Sequence, residues 1–109
     1  MSDKNKDQLT RELLARDFAL IDTESLSEEE LFRNLADHID WLISHRLEWL
    51  LSLMYRMDID EDRVNRALHP AAEEPANIGL ARLVLARQKQ RAKTKLEYQA
   101  PKMDEDLAW

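Results

Sequence analysis

Residues 28–57 have the sequence EEELFRNLADHIDWLISHRLEWLLSLMYRM, and the pattern of this stretch is the strongest indication of the fold. In its first half, apolar side chains recur every three or four residues, which is the spacing of an amphipathic helix. From Leu47 onward the stretch is apolar on nearly every helical face, a pattern typical of a helix surrounded by neighbours. We therefore predict one continuous central helix over about residues 28–57, roughly 45 Å long at 1.5 Å per residue.

The chain before this stretch predicts a first helix and a defined helix start. Apolar residues recur at helical spacing over about residues 6–21, which predicts a helix that packs through one stripe, formed by Leu9, Leu13, Leu14, Phe18 and Ile21. Ser27 and Glu30 then match a capping box, in which the hydroxyl accepts from the backbone N–H three residues on and the carboxylate reaches back. The motif predicts that the central helix begins just after Ser27.

The chain after this stretch predicts one short and one long helix. Asp58 or Asp60 is expected to cap a short helix over about residues 61–68. After a linker, another helix should run over about residues 78–98 and pack its apolar first part on the central helix. Its basic half, residues 87–95, is expected to face solvent or to project from the body.

The composition favours a single helical domain. One Gly and three Pro in 109 residues leave little material for tight turns or sheet corners. Apolar residues at 44% and charged residues at 35% are typical of a helical bundle with a solvated exterior. We predict a small all-α bundle of three long helices plus one short helix, forming one domain over residues 1–98, with a C-terminal tail of uncertain order over residues 99–109.

Several classes of protein are disfavoured by what the sequence lacks. The chain has no Cys, which excludes disulfides, thiolate metal sites and cysteine nucleophiles. Residues 1–17 are polar and charged and do not match a signal peptide. The longest apolar stretches fall short of the roughly 20 residues that span a bilayer. We expect a cytoplasmic protein that does not bind membranes.

Metal-binding residue types occur, but not in a metal-binding pattern. His38 and His45 are seven residues apart and share a helical face. A carboxylate-bridged two-metal bundle, however, needs Glu-x-x-His pairs from two helices, and this chain has none. Residues 58–62 resemble the opening of a calcium loop, but Arg63 and His69 stand where that loop needs Gly and Glu. We predict no metal and no cofactor.

The serine residues give no catalytic arrangement. Ser44 and Ser52 lie with His38 and His45 on one predicted helix, where adjacent residues point about 100° apart. No Gly-rich loop exists to cradle a phosphate or to build an oxyanion hole. We therefore predict that the protein is not an enzyme.

A basic patch stands out against the acidic chain. Residues 80–96 hold six cations and no carboxylate, although the net charge is −6. Such a patch attracts anionic partners, and it consists of Arg82, Arg87, Lys89, Arg91, Lys93 and Lys95. The acidity of the rest of the chain repels nucleic acid, and cations near a helix C-terminus also stabilise the helix itself. We expect the basic patch to pair with an acidic protein surface, either the first helix of this chain or a second copy. The alternative partner is nucleic acid.

Aromatic residues provide the remaining candidate site. Trp41 and Trp49 fall about 80° apart on a helix, and large aromatic side chains serve either core packing or a subunit interface. The candidate interface residues are Trp41, Trp49, Leu51, Met54 and Tyr55. Because three long helices give too little cover for residues 47–57, we predict a homodimer or a heteromeric partner.

These observations predict a non-enzymatic interaction, adaptor or homo-oligomerising protein. The partner is expected to be a second copy or an acidic protein. The alternative is a nucleic-acid-binding or regulatory protein that uses the basic helix over residues 82–95.

Overall fold

The computed structural model describes residues 3–99, which form five α-helices and no strand. The helices are α1 (Asp3–Phe18), α2 (Glu28–His45), α3 (Leu47–Arg56), α4 (Glu61–Leu68) and α5 (Ala76–Gln99), with one 3-10 turn (Thr23–Ser25) before α2. The predicted all-α class is confirmed. Residues 100–109, most of the predicted tail, lie outside the described residues.

The predicted continuous helix over residues 28–57 is wrong, because it is divided into α2 and α3 at Arg46. Arg46 has φ −142° and ψ 48°, which is not helical backbone. Neither Gly nor Pro lies near the break. The division therefore follows from the packing of α3 into the core rather than from a local helix breaker.

The predicted capping box at the start of α2 is confirmed. The Glu30 N–H donates to Ser27 Oγ at 3.0 Å, and the Ser27 N–H donates to Glu30 Oε1 at 2.9 Å. The hydrogen bond from the Ser27 backbone lowers the pKa of Glu30 below its ordinary value. Two backbone donors that a helix start would leave unpaired are satisfied in this way.

The connection from α1 to α2 differs from the sequence prediction. α1 ends at Phe18 rather than near Ile21, because Ala19 turns into the left-handed region at φ 56°. Ile21 is consequently 79% exposed instead of joining the predicted stripe. The Arg11 guanidinium spans the connection and donates at 2.6 Å to the carbonyls of Thr23 and Leu26.

The centre of the fold is α5, which packs against α1, α2 and α4. Gly79 allows the close approach of α4, since a Cβ at this position would lie 3.2 Å from the Ala67 Cβ. Asn77, near the start of α5, donates to the Ala36 carbonyl of α2 at 3.2 Å. The core includes Leu14, Phe18, Leu35, Ile39, Leu50, Met54, Leu80 and Val84.

The basic half of α5 does not project into solvent as predicted. Gln88 and Ala92 are fully buried, and they lie on the part of α5 that packs against α1. The cationic side chains flank this buried line. The prediction rested on the charged residues alone. The residues between them, such as Gln88 and Ala92, are small or polar and form the buried line.

α3 is amphipathic rather than enclosed on all sides. Leu50, Leu53 and Met54 are buried, whereas Trp49 and Tyr55 on the same helix are exposed. Within residues 3–99, neighbouring helices therefore cover only one face of this segment. An exposed apolar face remains.

α4 has the predicted bounds, although its predicted cap is incomplete. Asp60 occupies the N-cap position, but its side chain makes no capping hydrogen bond. Its carboxylate instead lies 3.9 Å from the Arg63 Nε. Asp58 precedes it in the left-handed conformation at φ 64°, which Asp tolerates better than most residues.

Candidate functional site

Exposed apolar side chains concentrate on α2 and α3. Among residues 3–99, six large hydrophobic residues are exposed, and four of them fall within residues 41–55. We call these four the exposed aromatic surface: Trp41 (50% exposed), Leu47 (37%), Trp49 (38%) and Tyr55 (79%). Leu47 and Trp49 point about 160° apart around α3 at about 100° per residue, so the four side chains share a segment of the chain rather than one contiguous patch.

Trp41 is held in place by His45. The two rings stack with centroids 4.5 Å apart and planes 16° apart. His45 Nδ1 lies 3.0 Å from the Trp41 carbonyl oxygen, and since a carbonyl only accepts, Nδ1 carries the proton. The stack restricts the rotamers of the Trp41 indole near the end of α2, and restricted side chains lose less entropy on binding.

The other predicted interface residues have different surroundings. Met54 is almost fully buried and forms part of the wall of a cavity of about 100 Å³ beside Tyr55. Leu51 is half-buried and lines the same shallow cavity together with Tyr55 and Ile59. Tyr55 therefore borders an apolar depression into which a small side chain could insert.

The residues of metal-binding type do not cluster within residues 3–99. His38 is half-buried on α2, and His45 uses Nδ1 for the Trp41 carbonyl. Within residues 3–99, no group of three His, Asp or Glu side chains has the geometry to hold a metal ion.

Four cations of the predicted basic patch bind groups of this chain. Arg82 Nη2 lies 2.8 Å from Glu74 Oε2, and this carboxylate raises the pKa of Arg82 above its ordinary value. Its guanidinium also lies 5.4 Å from the centroid of the Phe32 ring. Lys89 Nζ lies 3.3 Å from Glu28 Oε2, and Arg87 Nε donates to a backbone carbonyl at 2.7 Å.

Arg91 belongs to a network between α5 and α1. Asp17 Oδ2 accepts from Gln88 Nε2 at 2.9 Å and from Arg91 Nη1 at 3.1 Å. Burial acts to raise the pKa of Asp17, but the hydrogen bonds from Gln88, Arg16 and Arg91 together hold that pKa below its ordinary value. Among the described residues, only Lys93 and Lys95 of the predicted patch form no ion pair.

The Asp17→Asn variant is expected to lose about 1–3 kcal/mol of unfolding free energy at pH 7, because hydrogen bonds to a charged acceptor are lost. Since the folded-state pKa of Asp17 is lowered, its contribution is present above the ordinary value of 3.8 and is lost as pH falls through the folded pKa. Urea unfolding of variant and wild type at pH 7 and at decreasing pH below 4 measures this.

The matched control for this prediction is Asp40→Asn, which changes an exposed carboxylate on α2. It should alter stability by less than about 0.5 kcal/mol. A stability difference for Asp17→Asn that stays constant down to pH 2 would contradict the assigned role of the Asp17 carboxylate.

A cleft lies between α4, the loop after it and the start of α5. It has a volume of about 540 Å³, and Ala67, Ala72 and Leu83 contribute to its apolar lining. His69 borders it with Nδ1 accepting from the Ala71 N–H at 3.0 Å, so the other ring nitrogen is the donor in the neutral ring. No local sequence signal indicates this cleft, because its walls come from separate elements.

No protein-family model, curated protein or solved structure matches this chain. Within residues 3–99, no helix combines the length and apolarity needed to cross a bilayer. The surfaces described above are therefore the basis for the proposed function.

Proposed function

We propose that this protein is a non-enzymatic interaction module that forms homodimers through the exposed aromatic surface. The observation that carries the proposal is the concentration of exposed Trp41, Leu47, Trp49 and Tyr55 on two consecutive helices. Tryptophan and tyrosine are enriched among the residues that contribute most to interface energy. Burying their exposed portions would remove apolar area from water, which supplies the driving force for association.

The charges around this surface favour a second copy as the partner. Asp40 and Glu48 are exposed beside the aromatic residues, as are Arg46 and Arg56. None of the four forms an ion pair within the described residues. A twofold axis places the same patch on both subunits, so a surface that carries both signs can be complementary to itself.

The alternative is that the basic helix over residues 82–95 binds an acidic protein or nucleic acid. Its support is weaker because Arg82, Lys89 and Arg91 already pair with carboxylates of this chain. Lys93 and Lys95 remain as exposed cations.

The absence of cysteine is consistent with the cytoplasmic location that the sequence predicts.

Fluorescence anisotropy separates the two functions. A single cysteine introduced at exposed Asp62 on α4, outside both candidate surfaces, can carry the dye, since the chain has no other thiol. Anisotropy should rise on titration with unlabelled chain and should depend little on salt. A rise only with duplex DNA or RNA, falling steeply with salt, would replace self-association by the alternative.

A further inference from the structure

The division between α2 and α3 is confined to one residue. The Arg46 N–H still donates to the Leu42 carbonyl at 2.7 Å, and the Leu50 N–H still donates to the Arg46 carbonyl at 3.0 Å. Both are the i to i−4 bonds of a helix. The helical bonding pattern is thus interrupted only over the single turn that contains Arg46.

Nothing local holds this division in place. Residues 44–48 (SHRLE) include neither Gly nor Pro, and all five are exposed. The Arg46 side chain makes no hydrogen bond or ion pair within the described residues, and it does not cap α3. The backbone could therefore become helical here without losing a side-chain interaction of Arg46.

The buried residues of α2 and α3 keep the phase of one uninterrupted helix. At about 100° per residue, a continuous helix over residues 28–57 would place all of them within an arc of about 140°: Leu31, Leu35, Ala36, Ile39, Leu42, Leu50, Leu53, Met54 and Met57. The exposed rings of Trp41, His45, Trp49 and Tyr55 would fall within a neighbouring arc of about 120°, which meets the buried arc at the angle shared by Trp49 and Leu31. The hydrophobic pattern of residues 28–57 is therefore compatible with both the divided helix and one straight helix.

From these observations we infer that Arg46 is a hinge and that the homodimer forms by exchange of halves. In the dimer, residues 28–57 become one helix, and α3, α4 and α5 of each copy pack on α1 and α2 of the other. This inference rests on the proposed homodimer and specifies how it forms. It places these rings on the face that adjoins the core, where the same rings of the second copy can contact them.

A second copy is the partner that this opening requires. Opening at Arg46 removes α5 from the apolar faces of α1 and α2, where Phe18, Leu35 and Ile39 are fully buried. The surface that matches those faces is α5 itself. Exchange restores each contact between chains, including Arg91 with Asp17 and Lys89 with Glu28, so domain swapping costs few contacts.

Zero-length carbodiimide crosslinking of the native chain tests the exchange. Lys89 and Glu28 are 3.3 Å apart, lie on opposite sides of the hinge and form the one ion pair with a lysine among the described residues. A mixture of ¹⁴N- and ¹⁵N-labelled chains is unfolded and refolded together, and the dimer is isolated and crosslinked. Mass spectrometry then shows whether the peptides joined at Lys89 and Glu28 come from one chain or from two.

Crosslinked peptides that combine a light and a heavy chain are the expected result. If the dimer gives only light–light and heavy–heavy pairs, the exchange of halves is wrong while the proposed homodimer stands. If no dimer can be isolated, the proposed homodimer fails and the exchange fails with it.

Hinge variants provide a second test. Glycine is disfavoured relative to alanine inside a helix by an amount that changes an equilibrium constant about fivefold. Two hinges straighten per dimer, so Arg46→Ala should dimerise about 25-fold more tightly than Arg46→Gly. The matched pair Arg33→Ala and Arg33→Gly alters an exposed residue that is helical in both forms and should show equal dimerisation. If the two Arg46 variants have equal dimer dissociation constants, Arg46 is not a hinge.

Discussion

Replacing both tryptophans of the exposed aromatic surface by serine is expected to convert the dimer into a monomer. Trp41 and Trp49 are 50% and 38% exposed, so their indoles provide large contact areas to a partner. Central aromatic residues of an interface each contribute about 2 kcal/mol or more. The double variant should therefore raise the dimer dissociation constant at least about 100-fold, as measured by sedimentation equilibrium.

The control for this prediction is an exposed aromatic residue outside the surface. Tyr98, on α5, is 75% exposed, and Tyr98→Ser should leave the dissociation constant unchanged. The circular dichroism spectrum of the double variant should remain helical, since neither tryptophan belongs to the buried core. If Tyr98→Ser weakens the dimer as much as the double variant does, the interface lies elsewhere.

Introducing a carboxylate at Ala92 is expected to destabilise the fold strongly. Ala92 is fully buried, with 0% relative exposure. It lies on the half of α5 that packs against α1. An uncompensated charge at such a position costs about 3–5 kcal/mol. Because small domains have only about 5–15 kcal/mol of stability, Ala92→Glu should show a large loss in urea unfolding.

The neighbouring exposed residue supplies the control. Lys93→Glu makes a larger change of charge one position further along α5, but its side chain is exposed. It should shift the unfolding free energy by about 0.5 kcal/mol or less. Equal and small effects of both variants would mean that this half of α5 faces solvent, as the charge pattern alone predicts.

Features with a local cause in the sequence were predicted well. The start of α2 follows from the hydroxyl and carboxylate of Ser27 and Glu30, which interact over three residues. The bounds of α4 (Glu61–Leu68) follow from an acidic start and a proline two residues beyond its end. In both cases the information lies within one helical turn.

Features with a tertiary cause were missed. The division at Arg46 has no local breaker, so hydrophobic periodicity alone predicts a continuous helix. The burial of α5 depends on small and polar residues, because Ala81, Val84, Gln88 and Ala92 continue one helical face that charge counting ignores. The apolar side chains of α2 and α3 were recognised from the sequence, but which of them are buried depends on how α3 packs.

Light scattering across a micromolar concentration series measures the solution mass of the wild-type chain. Self-association predicts a mass that rises with concentration to twice the 12.9 kDa of one chain. A mass that stays at one chain throughout the series would contradict self-association through the exposed aromatic surface.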